Sequence, residues 1–319
     1  MRNVNEPSSI DSKAIEPTDT VHRRHFLKWI VGGIGAVVVI GATGFELVNH
    51  GVLPGKQALD EIDGGCSVPA TVLSMHSVGR SQSGAFYSKA RRRGVGYTIG
   101  YPPGYRLGDA LPLIVMLHGF GQNHSSALVG MTPAQAMALE VNGTRLAPMA
   151  LVTVDGGDGY WNPHPGDNPM AMVVDELIPL CQRKGLGVSP KKIGLMGISM
   201  GGYGALAIAE RNPGLASAVA AISPAVWTTF EQAHAVDAGA FSSASAFDRG
   251  DVIAHASALT NVPVRVASGD DDPFHPGVEE LASALPVDSI DVFPGGCHTN
   301  PFFLEQEPPS LAFLSDYLT

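Results

Sequence analysis

The chain has 319 residues, 45% of them hydrophobic and 16% charged, with 38 Gly, 24 Pro and 3 Cys. That apolar content supports a buried core and excludes a wholly disordered chain, while three cysteines exclude a disulfide-stapled scaffold or a zinc ribbon. Net charge is −10, and it is uneven: residues 1–28 hold five basic and four acidic side chains, which leaves 15 against 26 in the rest. Displacing counterions from a polyanion takes clustered Lys and Arg. The acidic body is read as offering no such cluster, which argues against nucleic-acid binding.

His22-Arg23-Arg24-His25-Phe26-Leu27-Lys28 precedes an uncharged run from Trp29 to Phe45. Paired arginines, then Phe-Leu-Lys, then a glycine-rich apolar run predict a twin-arginine export signal; the alternative is a basic flank ahead of a membrane helix. The 17 residues of that run are at the short limit for a bilayer core of about 30 Å. No small-x-small cleavage site follows, so residues 29–45 are expected to act as a signal or to stay as a membrane anchor. Cys66 lacks the apolar residue three positions earlier that lipidation requires. The chain therefore divides into residues 1–65, signal or anchor and linker, and residues 66–319, one exported domain in the cell envelope or beyond. Disulfides persist in such a compartment, and Cys66, Cys181 and Cys297 allow one bridge and leave one thiol, without indicating which.

Strand-like runs come first in the body, at Thr71–Val78, Gly84–Arg92 and Gly94–Tyr101. Leu113–Leu117 is continuously apolar, the pattern of a strand buried on both faces of a mostly parallel sheet. From there helices and strands alternate: a helix at Thr132–Val141, a strand at Met149–Val154, and a helix behind the Asn168-Pro169 cap with an apolar stripe from Met170 to Cys181. Further strands are expected at Lys192–Met196, Ala216–Ile222, Val262–Ala267 and Ser289–Phe293, with helices at Met200–Arg211 and Ser310–Tyr317. The Ala/Ser-rich stretch 233–259 reads as a surface excursion or small cap. This alternation predicts an α/β three-layer sandwich with a mostly parallel central sheet.

Gly197-Ile198-Ser199-Met200-Gly201 is a G-x-S-x-G sequence between an apolar strand and a helix. Such a turn strains the serine and exposes its hydroxyl, and only small residues on either side leave room for strand and helix to cross. A serine hydroxyl needs a histidine base oriented by a carboxylate, in the chain order Ser, Asp or Glu, His. Asp270, Asp271 and Asp272 follow the strand at 262–267, and Asp272 is preferred because Pro273 fixes the turn and Phe274 packs it down. His298 follows the strand at 289–293 and is the expected base, with His275 a nearby rival.

The oxyanion requires preorganised backbone N–H groups. Met200 is expected to supply one, and the loop after Leu113–Leu117 the second, from Phe120 with Gly121 beside it; His118 is read as bracing that loop. In the loop Asp155–His164, Trp161 and His164 are candidate substrate contacts, with self-packing of the loop an equal alternative. The histidines lack the paired spacing of a zinc site, so neither metal nor cofactor is expected.

These residues together resemble the putative-esterase branch of the α/β-hydrolases. They are His118-Gly119-Phe120-Gly121, Asp155-Gly156-Gly157 with Tyr160-Trp161, Gly197 to Leu206, Gly269 with Asp272-Pro273-Phe274, and Gly296 with His298. The branch includes esterase D or S-formylglutathione hydrolases, feruloyl esterases and secreted mycolyltransferases. The resemblance implies a Ser199–Asp272–His298 triad and acyl-ester chemistry on a small-molecule, lipid or glycan ester. Two features depart from the branch: Cys297 stands where many members have glycine, and the cytosolic formylglutathione enzymes carry no export signal. The leading expectation is an exported serine carboxylic-ester hydrolase, delivered by the twin-arginine machinery. The alternatives are an acyltransferase onto an envelope sugar and a catalytically silent binding protein.

Overall fold

A strand with no polar position has no face to give to water, and Leu113–Leu117 gives none. In the computed structural model Leu113, Val115 and Leu117 enter one core, while Ile114 and Met116 enter a second on the opposite face of the sheet. The structure describes residues 66, 68–75, 77–188, 193–286 and 289–318. The expected export signal, the possible anchor at 29–45 and everything before the division at 65 and 66 lie outside the described residues.

The first half contains β1 (Ser74–Met75), β2 (Ser81–Ser88), β3 (Arg93–Gly100), β4 (Leu113–Leu117), α1 (Pro133–Ala136), β5 (Leu139–Val141), β6 (Thr144–Arg145) and β7 (Ala150–Val154). There follow α2 (Pro169–Ala171), a π-helical stretch (Met172–Leu177), α3 (Ile178–Gln182), β8 (Ile193–Ile198), α4 (Met200–Arg211) and β9 (Ala218–Ile222). The chain then forms α5 (Phe230–Val236), α6 (Ala244–Gly250), a 3₁₀ turn (Ala256–Leu259), β10 (Val264–Ala267), α7 (His275–Ala284), β11 (Ile290–Val292) and α8 (Asn300–Leu318).

Eight strands form one sheet in the order β11-β10-β9-β8-β4-β7-β3-β2. Every pair from β11 to β7 is parallel, and β3 and β2 close the far edge antiparallel. Tyr203, Leu206 and Ile208 of α4 join the core of Leu113; Phe302, Leu311 and Leu314 of α8 join the core of Ile114. Helices thus cover both faces, which is the expected three-layer α/β-hydrolase sandwich. The six strands from β11 to β7 all point one way, and loops leaving parallel strand ends open onto a common crevice.

Several boundaries differ from expectation for identifiable reasons. The helix expected at Thr132–Val141 is one turn, α1, capped by Thr132 with a reciprocal bond from Gln135, and then a hairpin. Asn142 (φ 52°) and Gly143 (φ 75°) form the two-residue turn between β5 and β6, an Asn-Gly signal that outweighs the helical spacing. The strand expected over Thr71–Val78 is reduced to Ser74–Met75, paired with β5. The last helix begins at Asn300, ten residues before the expected start, because Pro308 and Pro309 lie inside it rather than ahead of it. The stretch 233–259 folds into short helices over the Leu113 core, to which Phe241, Phe247 and Val252 contribute. The body does hold one basic run, Lys89 to Arg93, contrary to the sequence reading. Two of its arginines are taken up by one carboxylate: buried Arg91 and exposed Arg93 both pair with Asp167.

Glu307 of α8 is wholly buried. One carboxylate oxygen accepts the Val129 N–H at 2.9 Å, and the other has no partner among the described residues. Burial raises its pKa to about 8. A folded-state pKa above the unfolded value means that the folded chain holds the proton more tightly. This contribution is fully present below the ordinary carboxylate range and is lost as pH rises through about 8. Glu307→Gln keeps an acceptor for Val129 and removes the titration. Thermal melts from pH 5 to pH 9 are expected to show a Tm that falls less steeply in the variant than in the native chain.

Candidate active site

Ser199 closes β8 and opens α4 at φ 54°, ψ −120°, a conformation nearly confined to glycine. The surrounding glycines explain how the turn closes. A Cβ at Gly197 would overlap the Gly201 carbonyl, and one at Gly201 would overlap the Leu117 carbonyl of the neighbouring strand. The serine N–H donates to the Ile222 carbonyl at 2.9 Å and its carbonyl accepts from Ala225 at 3.0 Å, which ties the turn to the end of β9.

The sheet order brings His298 and Asp272 to this serine. His298 Nε2 lies 2.8 Å from Ser199 Oγ, and its Nδ1 lies 2.8 Å from Asp272 Oδ2. The other oxygen of Asp272 accepts the Phe274 N–H at 2.9 Å, and the Asp272 side chain is wholly buried. A carboxylate only accepts, so Nδ1 carries the proton, and Nε2 is the acceptor for the serine hydroxyl. Edge contacts with Phe274 and Phe303 hold the imidazole from two sides. All three residues expected from the sequence therefore meet. Asp270 serves the neighbouring loop instead. Its Oδ1 accepts the Gly296 N–H at 3.1 Å, lacing the loop after β10 to the loop of His298. His275 begins α7 and faces Phe293 and Glu279.

Two amides near Ser199 are candidates to meet a developing oxyanion. The Met200 N–H is the first of α4, whose N-terminus has no side-chain cap, so the amide and the helix dipole are both available to negative charge. The loop after β4 approaches Ser199 closely, with a Cβ at Gly119 falling 3.7 Å from that of Ser199. In this loop the Gly119 N–H donates to Gln122 Oε1 (2.9 Å) and the Gly121 N–H donates to Asp158 Oδ1 (2.7 Å). Gly121 is thereby withdrawn from the expected donor set, because an amide aimed at a carboxylate cannot also serve a substrate oxygen. Phe120 between them keeps its N–H unengaged among the described residues.

His118 braces the loop as expected. Burial lowers its pKa, and the neutral ring donates from Nδ1 to the Gly119 carbonyl (2.7 Å) and accepts at Nε2 from the Gly156 N–H (2.8 Å). Trp161 Nε1 donates to the His118 carbonyl at 3.3 Å.

Trp161 does not stand as a substrate contact, and His164 faces its own loop. Trp161 is 0% exposed and fills the space that Cβ atoms at Gly156 and Gly204 would occupy. His164 turns back on its own loop, with Nε2 at 2.8 Å from the Gly159 carbonyl. Self-packing, the alternative reading of this loop, is what the geometry presents for Trp161, whose indole takes the space that Gly156 and Gly204 leave open.

Gln122 and Asp158 were missed in the sequence. Asp158 stands between two glycines of the loop after β7, and only the crossing of that loop over the β4 loop gives it a role. Asp158→Ala is expected to lower kcat for p-nitrophenyl acetate about tenfold with KM changed less than about twofold, since freeing Gly121 loosens the loop that carries the neighbouring Phe120 amide, whose proposed role is in the transition state. Initial-rate kinetics on the purified variant check this.

No curated protein matches the chain. Among solved structures it is similar to a ferulic acid esterase (18% identity, TM-score 0.64, 76% of this chain and 100% of that one). It is likewise similar to an S-formylglutathione hydrolase from Agrobacterium tumefaciens (17%, 0.60, 79% and 100%). A third is the Staphylococcus aureus fluorophosphonate-binding serine hydrolase F (14%, 0.60, 75% and 99%). At these identities the likeness establishes the fold. The family model described as "Putative esterase" matches residues 88–291, a span from β2 to β11 that includes Ser199 and Asp272 and stops short of His298. With that match the chain belongs to this esterase family of α/β-hydrolases, and it is an enzyme of the carboxylesterase type.

Proposed function

We propose that the protein is an exported serine carboxylic-ester hydrolase that works through an acyl-enzyme on Ser199. The observation that carries this reading is the unbroken line of two 2.8 Å contacts from Ser199 Oγ through His298 to Asp272. His298 Nε2 takes the hydroxyl proton as Oγ attacks the ester carbonyl, and Asp272 holds the imidazolium that forms. The oxyanion is met by the N–H groups of Met200 and Phe120. Collapse of the tetrahedral species breaks the bond to the alcohol, which leaves with the proton from His298. Water then attacks the acyl-enzyme, giving its proton to Nε2, and the acid is released as His298 returns that proton to Ser199 Oγ.

The test is labelling of the full chain with a fluorophosphonate, followed by hydrolysis of p-nitrophenyl esters from acetyl to palmitoyl. Time-dependent modification of Ser199 with serine-dependent release of the acid supports the reading. A folded protein that is neither labelled nor active overturns it. Transfer of the acyl group to an added sugar in preference to water would instead make it an acyltransferase.

Export is supported by the Arg23-Arg24 signal pattern and by the Cys66–Cys297 disulfide, a bond that persists in oxidising compartments. An Arg23→Lys/Arg24→Lys chain is expected to accumulate in the cytoplasm; fractionation that finds it still exported would refute the twin-arginine route.

A further inference from the structure

The proposed base follows the shortest strand of the main sheet. β11 is three residues long, lies at one end of the sheet and pairs there with β10 alone. Beyond it, the loop of residues 293–299 is tied sideways to the loop after β10. Asp270 N–H donates to the Pro294 carbonyl (3.2 Å), Asp271 N–H to the Gly296 carbonyl (3.0 Å), and Gly296 N–H to Asp270 Oδ1 (3.1 Å). Both loops leave neighbouring strands at the same edge, so these bonds let the pair shift together. A tie from elsewhere in the fold comes from Cys297, the residue before His298, which is disulfide-bonded to Cys66 across 231 positions of sequence.

The Cys66 side is fixed to the body independently. Val68 packs against the Ile114 core, and β1 pairs with β5. The bond therefore joins the loop of the base to a segment anchored on the Ile114 core and the β5 hairpin. Cys297 is wholly buried and Cys66 is partly exposed, so a reductant has access from the Cys66 side.

We propose that the Cys66–Cys297 disulfide is a redox-controlled positioning device for His298: closed, it holds Nε2 on Ser199 Oγ; opened, it lets the loop relax and turnover fall. This rests on the reading of His298 as the base. Opening needs a dithiol. One thiolate attacks Cys66 Sγ, the S–S bond breaks and Cys297 leaves as a thiolate that takes a proton. The second thiol of the reagent then attacks the mixed disulfide, releasing Cys66 as a thiol. Two electrons and two protons pass to the protein, and the dithiol becomes a cyclic disulfide. Cys181 takes no part, being buried in the Leu113 core with its thiol pKa pushed up to about 12.

The experiment equilibrates the full oxidised chain in dithiothreitol/oxidised dithiothreitol buffers, counts thiols after denaturation, and measures ester kinetics, fluorophosphonate labelling and circular dichroism at each poise. Reduction should raise the thiol count from one to three and lower kcat about 10- to 100-fold, the scale of a misplacement near 1 Å. KM should stay within about threefold, the dichroism should be unchanged, and activity should return on reoxidation. Cys66→Ser/Cys297→Ser should sit at the low rate and ignore dithiol; Cys181→Ser should respond as the native chain does. Full activity in a chain with three free thiols overturns the proposal, and so does a loss that tracks global unfolding. An oxidised chain that is folded but neither active nor labelled at Ser199 instead defeats the reading on which the proposal rests.

Discussion

Ser199→Ala is expected to remove ester turnover by about 10⁴-fold or more, because neither His298 nor the oxyanion amides supply a nucleophile in its place. The paired variant Ser199→Gly should be equally inactive, and the two should differ in stability. Both lose the 2.8 Å contact with His298, so their difference isolates the backbone at φ 54°, ψ −120°. Alanine keeps the Cβ that this conformation opposes and glycine does not. Ser199→Gly should therefore exceed Ser199→Ala by about 1–3 kcal/mol, read as a higher urea midpoint at equal slope. Equal stabilities would mean that the turn is not strained, and residual serine-independent turnover would place the nucleophile elsewhere.

Trp161→Ala should be the most damaging single truncation of the loop after β7. The side chain is wholly buried, and nothing small can fill the space between Gly156 and Gly204. A cost of about 3–5 kcal/mol is expected, a fall in Tm of about 10 °C for a domain of this size. The damage should reach the chemistry as well, since the indole touches His118 edge-on at 5.1 Å and donates to its carbonyl. A kcat loss in Trp161→Ala, measured well below its Tm, would reveal that link. Trp161→Phe keeps most of the volume and should recover most of the stability. Differential scanning calorimetry and initial rates on both variants decide it.

The parallel sheet was legible because burial on both faces leaves a plain signature. Ala150–Val154, Ile193–Ile198, Ala218–Ile222 and Val264–Ala267 have only buried side chains, and all but Thr153 and Arg265 are apolar or glycine. Ser199 and Asp272 were legible because each follows such a strand closely; His298 follows β11, whose side chains are exposed or half-buried, and was legible from the chain order Ser, Asp, His. Elements held by tertiary contacts were less so. α8 runs through Pro308 and Pro309 while its side chains bond outward: Gln306 and Ser310 receive Arg265, and Ser315 accepts from Ala147. Such packing offsets a local break that sequence reading takes as a boundary. Within the loops, Asp158, Gln122 and Asp270 owe their roles to where the chain crosses or folds back on itself. Trp161 looked like a binding residue because an aromatic beside glycines reads the same whether the glycines admit a ligand or the aromatic itself.

The distance between Ser199 and His298 along the chain, 99 positions, also sets an order of events during synthesis. At 5–20 residues per second the serine precedes its proposed base by about 5–20 s. Through that interval the growing polypeptide carries an ordinary alcohol with no acceptor for its proton, unable to attack any ester it meets. On the proposed mechanism, splitting the machinery between distant strands makes every unfinished copy harmless, with reactivity arriving only when the edge of the sheet has been laid down.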